Sequence, residues 1–126
     1  MIAGMARLKT NLKIKVQLYC GDEIAMGPGK ADLLVAIARE GSISAAARTM
    51  GMSYRRAWLL VDAMNRCWSE PLVAAKAGGG AQVTDFGSDV LDFYRAVQAQ
   101  AEGAGEGPEI ARLERLIRAE PLPAKA

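Results

Sequence analysis

The chain has 126 residues, 51% of them apolar and 24% charged, with 16 basic and 14 acidic side chains and no histidine. That balance suits one small core, argues against wholesale disorder and excludes histidine-based acid–base catalysis, while a net charge of +2 is too small to name a partner by itself. No apolar run approaches the roughly 18 residues needed to span a bilayer, and Met1 to Ala6 lacks a signal peptide's apolar centre, so a cytoplasmic protein with no membrane partner is expected.

Residues 1–11 read as a tail. From Leu12 the apolar residues Leu12, Ile14, Val16 and Leu18 alternate with Lys13, Lys15 and Gln17, the period of a strand with one buried face. Gly21-Asp22 offers a reversal towards Ile24 and Met26, which predicts a hairpin over Leu12 to Met26. After Gly27-Pro28-Gly29 a first helix is expected from Lys30 to Glu40, with Leu33, Leu34, Ile37 and Ala38 inward and Gly41 as its stop. Ser42 and Ser44 can each cap a short helix built on Ala45-Ala46-Ala47 and ended by Met50-Gly51. Ser53 is placed to cap another from Tyr54 to about Trp68, with Ala57, Val61, Met64 and Trp68 on one stripe and Arg55, Leu59, Asp62 and Arg66 opposite.

Beyond Pro71, the pieces Leu72-Val73 and Gln82-Val83 flank Gly78-Gly79-Gly80 and predict a hairpin with a flexible tip, a wing. Thr84 can cap a long helix whose apolar seam is Phe86, Val90, Phe93, Tyr94 and Val97. A glycine-rich linker is expected over 102–107. A last helix and tail are expected over 108–126, with Ile110, Leu113, Leu116 and Ile117 sharing a face. The fold class is therefore mainly α with small β elements: a winged helix-turn-helix over 12–101, with an N-terminal β-hairpin and a long C-terminal helix.

The chemistry concentrates at the start of the helix after Gly51. Ala46 and Ala47 let two helices approach, Gly51 makes the turn, and Met50, Met52, Ala57 and Val61 fill the angle between them. What stays free is Ser53, Tyr54, Arg55, Arg56 and Trp58, and the opening residues of such a helix are those that reach base edges in a major groove. The planar fork of arginine suits guanine O6 and N7 or a phosphate. From Arg48 to Lys76 five basic side chains stand against Asp62 and Glu70, so positive charge gathers here. Lys76, Gly78 and Gly79 on the wing, with Ser42 and Ser44, complete the expected DNA-binding set. Two adjacent arginines alone would read as a solvated face; the order of alanine pair, glycine turn, serine cap and glycine-rich hairpin tips the reading to DNA. Trp58 and Trp68 read as core or near-core, and Cys20 and Cys67 as buried small hydrophobes in a reducing compartment, without zinc-site or CxxC spacing. Gly78 to Gly80 is no phosphate loop, because Ala81-Gln82 stands where Lys-Ser/Thr would be needed.

Taken together, GPGKADLL from Gly27, EGSISAAARTMGMSYRRAW from Glu40, MNR from Met64, GGGA from Gly78 and VTDFG from Val83 resemble the N-terminal DNA-binding domain of the ModE-type molybdate-responsive regulators, themselves similar to LysR-type winged helices. The resemblance covers about Leu12 to Val97. It implies a recognition helix carrying Ser53, Tyr54, Arg55, Arg56 and Trp58, a wing over Lys76 to Gly80, and a dimeric transcription factor pairing through the helix from Thr84 and the N-terminal strands. Longer regulators of this type continue into oxyanion-binding domains; this chain is expected to act without them, and its residues name no metal, cofactor or oxyanion effector, molybdate included. The expected function is sequence-specific binding of double-stranded DNA by a homodimer, with no catalytic residue. The competing reading is a protein-interaction module or accessory subunit of a longer regulator that has lost specific DNA binding. The last helix could serve either dimerisation or packing within the subunit.

Overall fold

A computed structural model describes residues 12–125; the expected 1–11 tail lies outside them. The described residues divide into two compact units, Lys15–Gln98 and a second formed by residues 12–14 with 99–125. The described residues are mainly helical, with five α-helices and two small antiparallel sheets of two strands each.

In the first unit β1 (Leu18–Cys20) pairs with β2 (Glu23–Met26) around Gly21-Asp22, with Cys20 facing Glu23. Gly21 takes φ +60°, as the first central residue of a tight hairpin turn with glycine in that place requires. The strand expected from Leu12 is not there: residues 12–17 have no regular structure, and Leu12 and Ile14 are exposed. The alternating pattern lacked a partner, since β2 is only four residues long before Gly27-Pro28 ends it, and a bulge after Leu18 already breaks the register. Val16 is held instead through its carbonyl, which accepts the Tyr94 hydroxyl at 2.8 Å.

Helix α1 (Pro28–Glu40) opens on Pro28 in its first turn and stops at Gly41, φ +80°, whose N–H returns to the Ile37 carbonyl. It buries Ala31, Leu33, Leu34, Ala36 and Ile37; Ala38, expected inward, is exposed. Helix α2 (Ile43–Met50) is capped by Ser42, whose Oγ accepts the Ala45 N–H at 3.0 Å. Ser44 is therefore inside the helix, and no cap. Gly51, φ +69°, turns the chain into α3 (Tyr54–Cys67), where Ser53 Oγ accepts the Arg56 N–H at 3.1 Å. Ala46, Ala47, Ala57 and Met64 are buried at the joint, while Met26, Leu33, Leu34, Ile37 and Leu72 complete the centre of the core. Two side chains this small allow backbone-close packing that a leucine would block.

The wing is β3 (Val73–Ala75) paired with β4 (Ala81–Val83), Val73 facing Val83 and Ala75 facing Ala81. Helix α4 (Asp85–Glu102) follows, its first turn capped by Thr84 Oγ1, which accepts the Gly87 N–H at 2.9 Å and donates to the Pro71 carbonyl at 2.8 Å. The predicted seam divides. Val90 and Tyr94 are buried, Phe86 is half-buried, and Phe93 and Val97 remain 71% and 43% exposed.

In the second unit, part of the expected linker is ordered: residues Gly103–Gly105 form a 3-10 turn and Pro108 starts α5 (Pro108–Leu116). Ile117 lies just beyond the helix. Leu12, Ile110, Leu113, Leu116 and Ile117 line one apolar groove.

Candidate nucleic-acid interface

Three neighbouring pieces build the site: the head of α3, the head of α2 and the wing. Ser53 caps α3 with its hydroxyl, and Tyr54 and Trp58 stand 55% and 46% exposed on the turns that follow. Arg55 and Arg56 are exposed too. Among the described residues Arg48, Arg55, Arg56 and Lys76 make no ion pair. Free guanidinium groups on a rigid capped helix are available to an anionic partner without first breaking an internal contact.

Trp58, expected from sequence in or near the core, is exposed instead, while Ala57 and Val61 of the same helix are buried. Trp68 does pack against the core and anchors through Nε1, which donates to the Ala25 carbonyl at 3.0 Å. Leu59, 45% exposed, adds an apolar side chain to the free face.

The basic set splits along α3. Arg66 at its far end donates to Asp62 at 2.9 Å and lies 3.6 Å from Glu23. The hydrogen bond and charge of Asp62 hold this guanidinium still more firmly charged. Arg66 thus belongs to the scaffold, and the cationic surface comprises the first turn of α3, Arg48 and the wing.

The wing is tied to the head of α2 at one point. Ala81 N–H donates to the Gly41 carbonyl at 2.9 Å, and a Cβ on Gly80 would stand 2.5 Å from that same oxygen. Gly80 has φ +89° as well, so both space and backbone demand glycine there. Lys76 closes the tip with two backbone bonds, its N–H to Gly80 and its carbonyl from Gly79. The Lys76 Nζ would lie 3.3 Å from a Cβ placed on Gly41, which puts the ammonium beside the residue that precedes the Ser42 cap of α2. Ser42, exposed Ser44, Lys76 and the exposed Gly78 and Gly79 thus share one region.

Sequence reasoning missed Asn65. Its Oδ1 accepts the N–H groups of Leu72 at 2.8 Å and Val73 at 3.1 Å, and its Nδ2 donates to the Val73 carbonyl at 3.0 Å. This one amide hangs the wing's first strand on α3. Gly87 was also missed: a Cβ there would collide with the Leu72 carbonyl and stand 2.9 Å from Val83 Cγ1, so α4 meets the wing's root only without a side chain. The available signals were the MNR and VTDFG strings, which contain these two residues. Cys20 and Cys67 correct another expectation, since Cys20 is exposed and Cys67 only half-buried.

The helix pair, the glycine turn, the wing and the long following helix define a winged helix-turn-helix of the LysR type, and residues 30–88 match the family of bacterial regulatory helix-turn-helix proteins, lysR family. The chain carries that domain, and the domain is ModE-like. It is 49% identical over 78 residues to the molybdenum-pterin-binding protein MopB of Rhodobacter capsulatus, covering 59% of this chain and 29% of that protein. It is 42% identical over 84 residues to the molybdenum transport protein ModE of Azotobacter vinelandii, covering 64% and 31%. To the DNA-binding transcriptional dual regulator ModE of Escherichia coli it is 33% identical over 93 residues, covering 71% and 33%. The chain thus spans about a third of the length of these relatives. The fold is also that of the crystal structure of the CbnR_DBD-DNA complex, with a TM-score of 0.52 at 20% identity, over 68% of this chain and 93% of that one. Among the described residues no helix is long and apolar enough to cross a membrane.

Proposed function

We propose that this chain binds double-stranded DNA sequence-specifically and regulates transcription as a homodimer in the cytoplasm, without catalysis. The carrying observation is the Ser53-capped start of α3, where Arg55 and Arg56 are exposed and unpaired between the exposed rings of Tyr54 and Trp58. In this reading the head of α3 enters the major groove. Arg55, Arg56 and Tyr54 discriminate bases, Trp58 packs against the groove wall, and Ser42, Ser44, Lys76, Gly78 and Gly79 contact phosphates and fix register. The named activity of one similar protein, a DNA-binding transcriptional dual regulator, supports the first half of this reading.

The dimer surface in this reading is the exposed half of the α4 seam, Phe93 and Val97, edged by Phe86, with Val90 and Tyr94 supporting it from beneath. The test is a duplex selected from a random pool by the full chain. Replacing Arg55 and Arg56 together by alanine abolishes specific binding while the far-ultraviolet circular dichroism stays unchanged. Undiminished affinity in the double variant refutes the assignment.

A further inference from the structure

Cys20 closes β1 opposite Glu23, and Cys67 is the last residue of α3. Their sequence neighbours fasten the hairpin to the helix end on both sides: Arg66 Nη2 lies 3.6 Å from Glu23 Oε2, and Trp68 Nε1 donates to the Ala25 carbonyl at 3.0 Å. Those two links flank Cys20 and Cys67 and set the thiol-bearing end of the hairpin against the thiol-bearing end of α3. They are the chain's two cysteines, both free, one exposed and one half-buried. A core role does not account for an exposed thiol on a hairpin, and the DNA-binding reading uses neither residue.

We infer that Cys20 and Cys67 form a redox-active dithiol that a small-molecule disulfide oxidises to a cross-link between the N-terminal hairpin and the end of α3. The exposed Cys20 thiolate attacks one sulfur of the reagent disulfide; a Cys20–reagent S–S bond forms, the reagent's S–S bond breaks, and one reagent thiol leaves with a proton. Cys67, deprotonated, then attacks Cys20 Sγ, and the second reagent thiol leaves protonated. Two protein thiols are oxidised to one disulfide and the reagent disulfide is reduced to two thiols. Burial foremost pushes the Cys67 thiol above its usual range; the nearby Cys20 thiol and Glu23 act in the same direction and Arg66 against it. The resolving step therefore quickens as pH rises from neutrality.

The test incubates the reduced full chain with oxidised glutathione, traps residual thiols with iodoacetamide and reads the intact mass. The expected product is a monomer two hydrogen masses lighter, without glutathione or alkyl label. The Cys67→Ser variant retains one glutathione on Cys20, because nothing resolves it. Wild-type chain that keeps stable glutathione adducts, that is alkylated at both thiols, or that cross-links only between chains overturns the inference. None of these readouts involves DNA, so the outcome is independent of the proposed function.

Discussion

Asn65 shows how much one half-buried side chain can carry. All the polar capacity of its amide that the wing can use is engaged, two N–H groups accepted and one carbonyl served within a two-residue stretch of backbone. Asn65→Ala strands those three groups; at the low end of roughly 1–3 kcal/mol for each group left without a partner, because the site is only part-buried, the expected loss is about 3 kcal/mol in urea unfolding. Tyr94 makes a similar single tie over a greater sequence distance, from α4 to Val16. Desolvation raises its phenol above the ordinary value of 10. A folded-state pKa above the unfolded one means that its stabilisation is complete below pH 10 and is lost as pH climbs through the folded value. Wild-type stability should therefore fall with alkaline pH more steeply than that of Tyr94→Phe, when both are followed by urea midpoints from pH 8 to 11.

At the level of elements, α3 has two electrostatic halves. Its first turn offers unpaired arginines, while its last binds Arg66 to Asp62 and Glu23. Each phosphate neutralised contributes about −0.9 to the slope of log affinity against log salt. Lys76→Ala should flatten that slope by about one, and Arg66→Ala should leave it unchanged; fluorescence titrations of a selected duplex over a salt series measure both. Equal slopes for Lys76→Ala and wild type remove the wing from the interface. What was legible in sequence follows the same division between local and distant causes. The caps at Ser42, Ser53 and Thr84 and the stops at Gly41 and Gly51 depend on residues within one helical turn, so α1 to α4 could be read directly. Residues 12–17 could not, because alternation marks a strand only where a partner backbone exists. Nor could the docking of the first hairpin on the end of α3, the capture of Arg66 by Glu23 or the need for a bare Gly87, each set by packing between elements far apart in sequence. In the candidate site, the residue types were legible, but which arginines stay free and which tryptophan stays outside the core were settled only by tertiary contacts.

For the molecule as a whole, the α4 seam is an apolar face that the rest of the chain leaves partly exposed. Val90 and Tyr94 have reached the core, yet Phe93 and Val97, on the flank of the same helix, present apolar area to solvent. In the proposed homodimer a two-fold axis would close this patch and set two copies of α3 at a fixed separation matching two half-sites on a duplex. Because Phe93 is 71% exposed, Phe93→Asp removes little packing from the monomer and places a charge at the centre of the seam. The variant should keep the wild-type urea midpoint extrapolated to low protein concentration. In sedimentation at micromolar concentration it should run as a monomer where wild type runs as a dimer. On a duplex carrying both half-sites it should bind far more weakly than wild type, while the two proteins bind a single half-site alike. Wild-type chain that sediments as a monomer at every concentration, or a variant that still pairs, would place the two-fold contact elsewhere and leave the spacing of the recognition helices to some other surface.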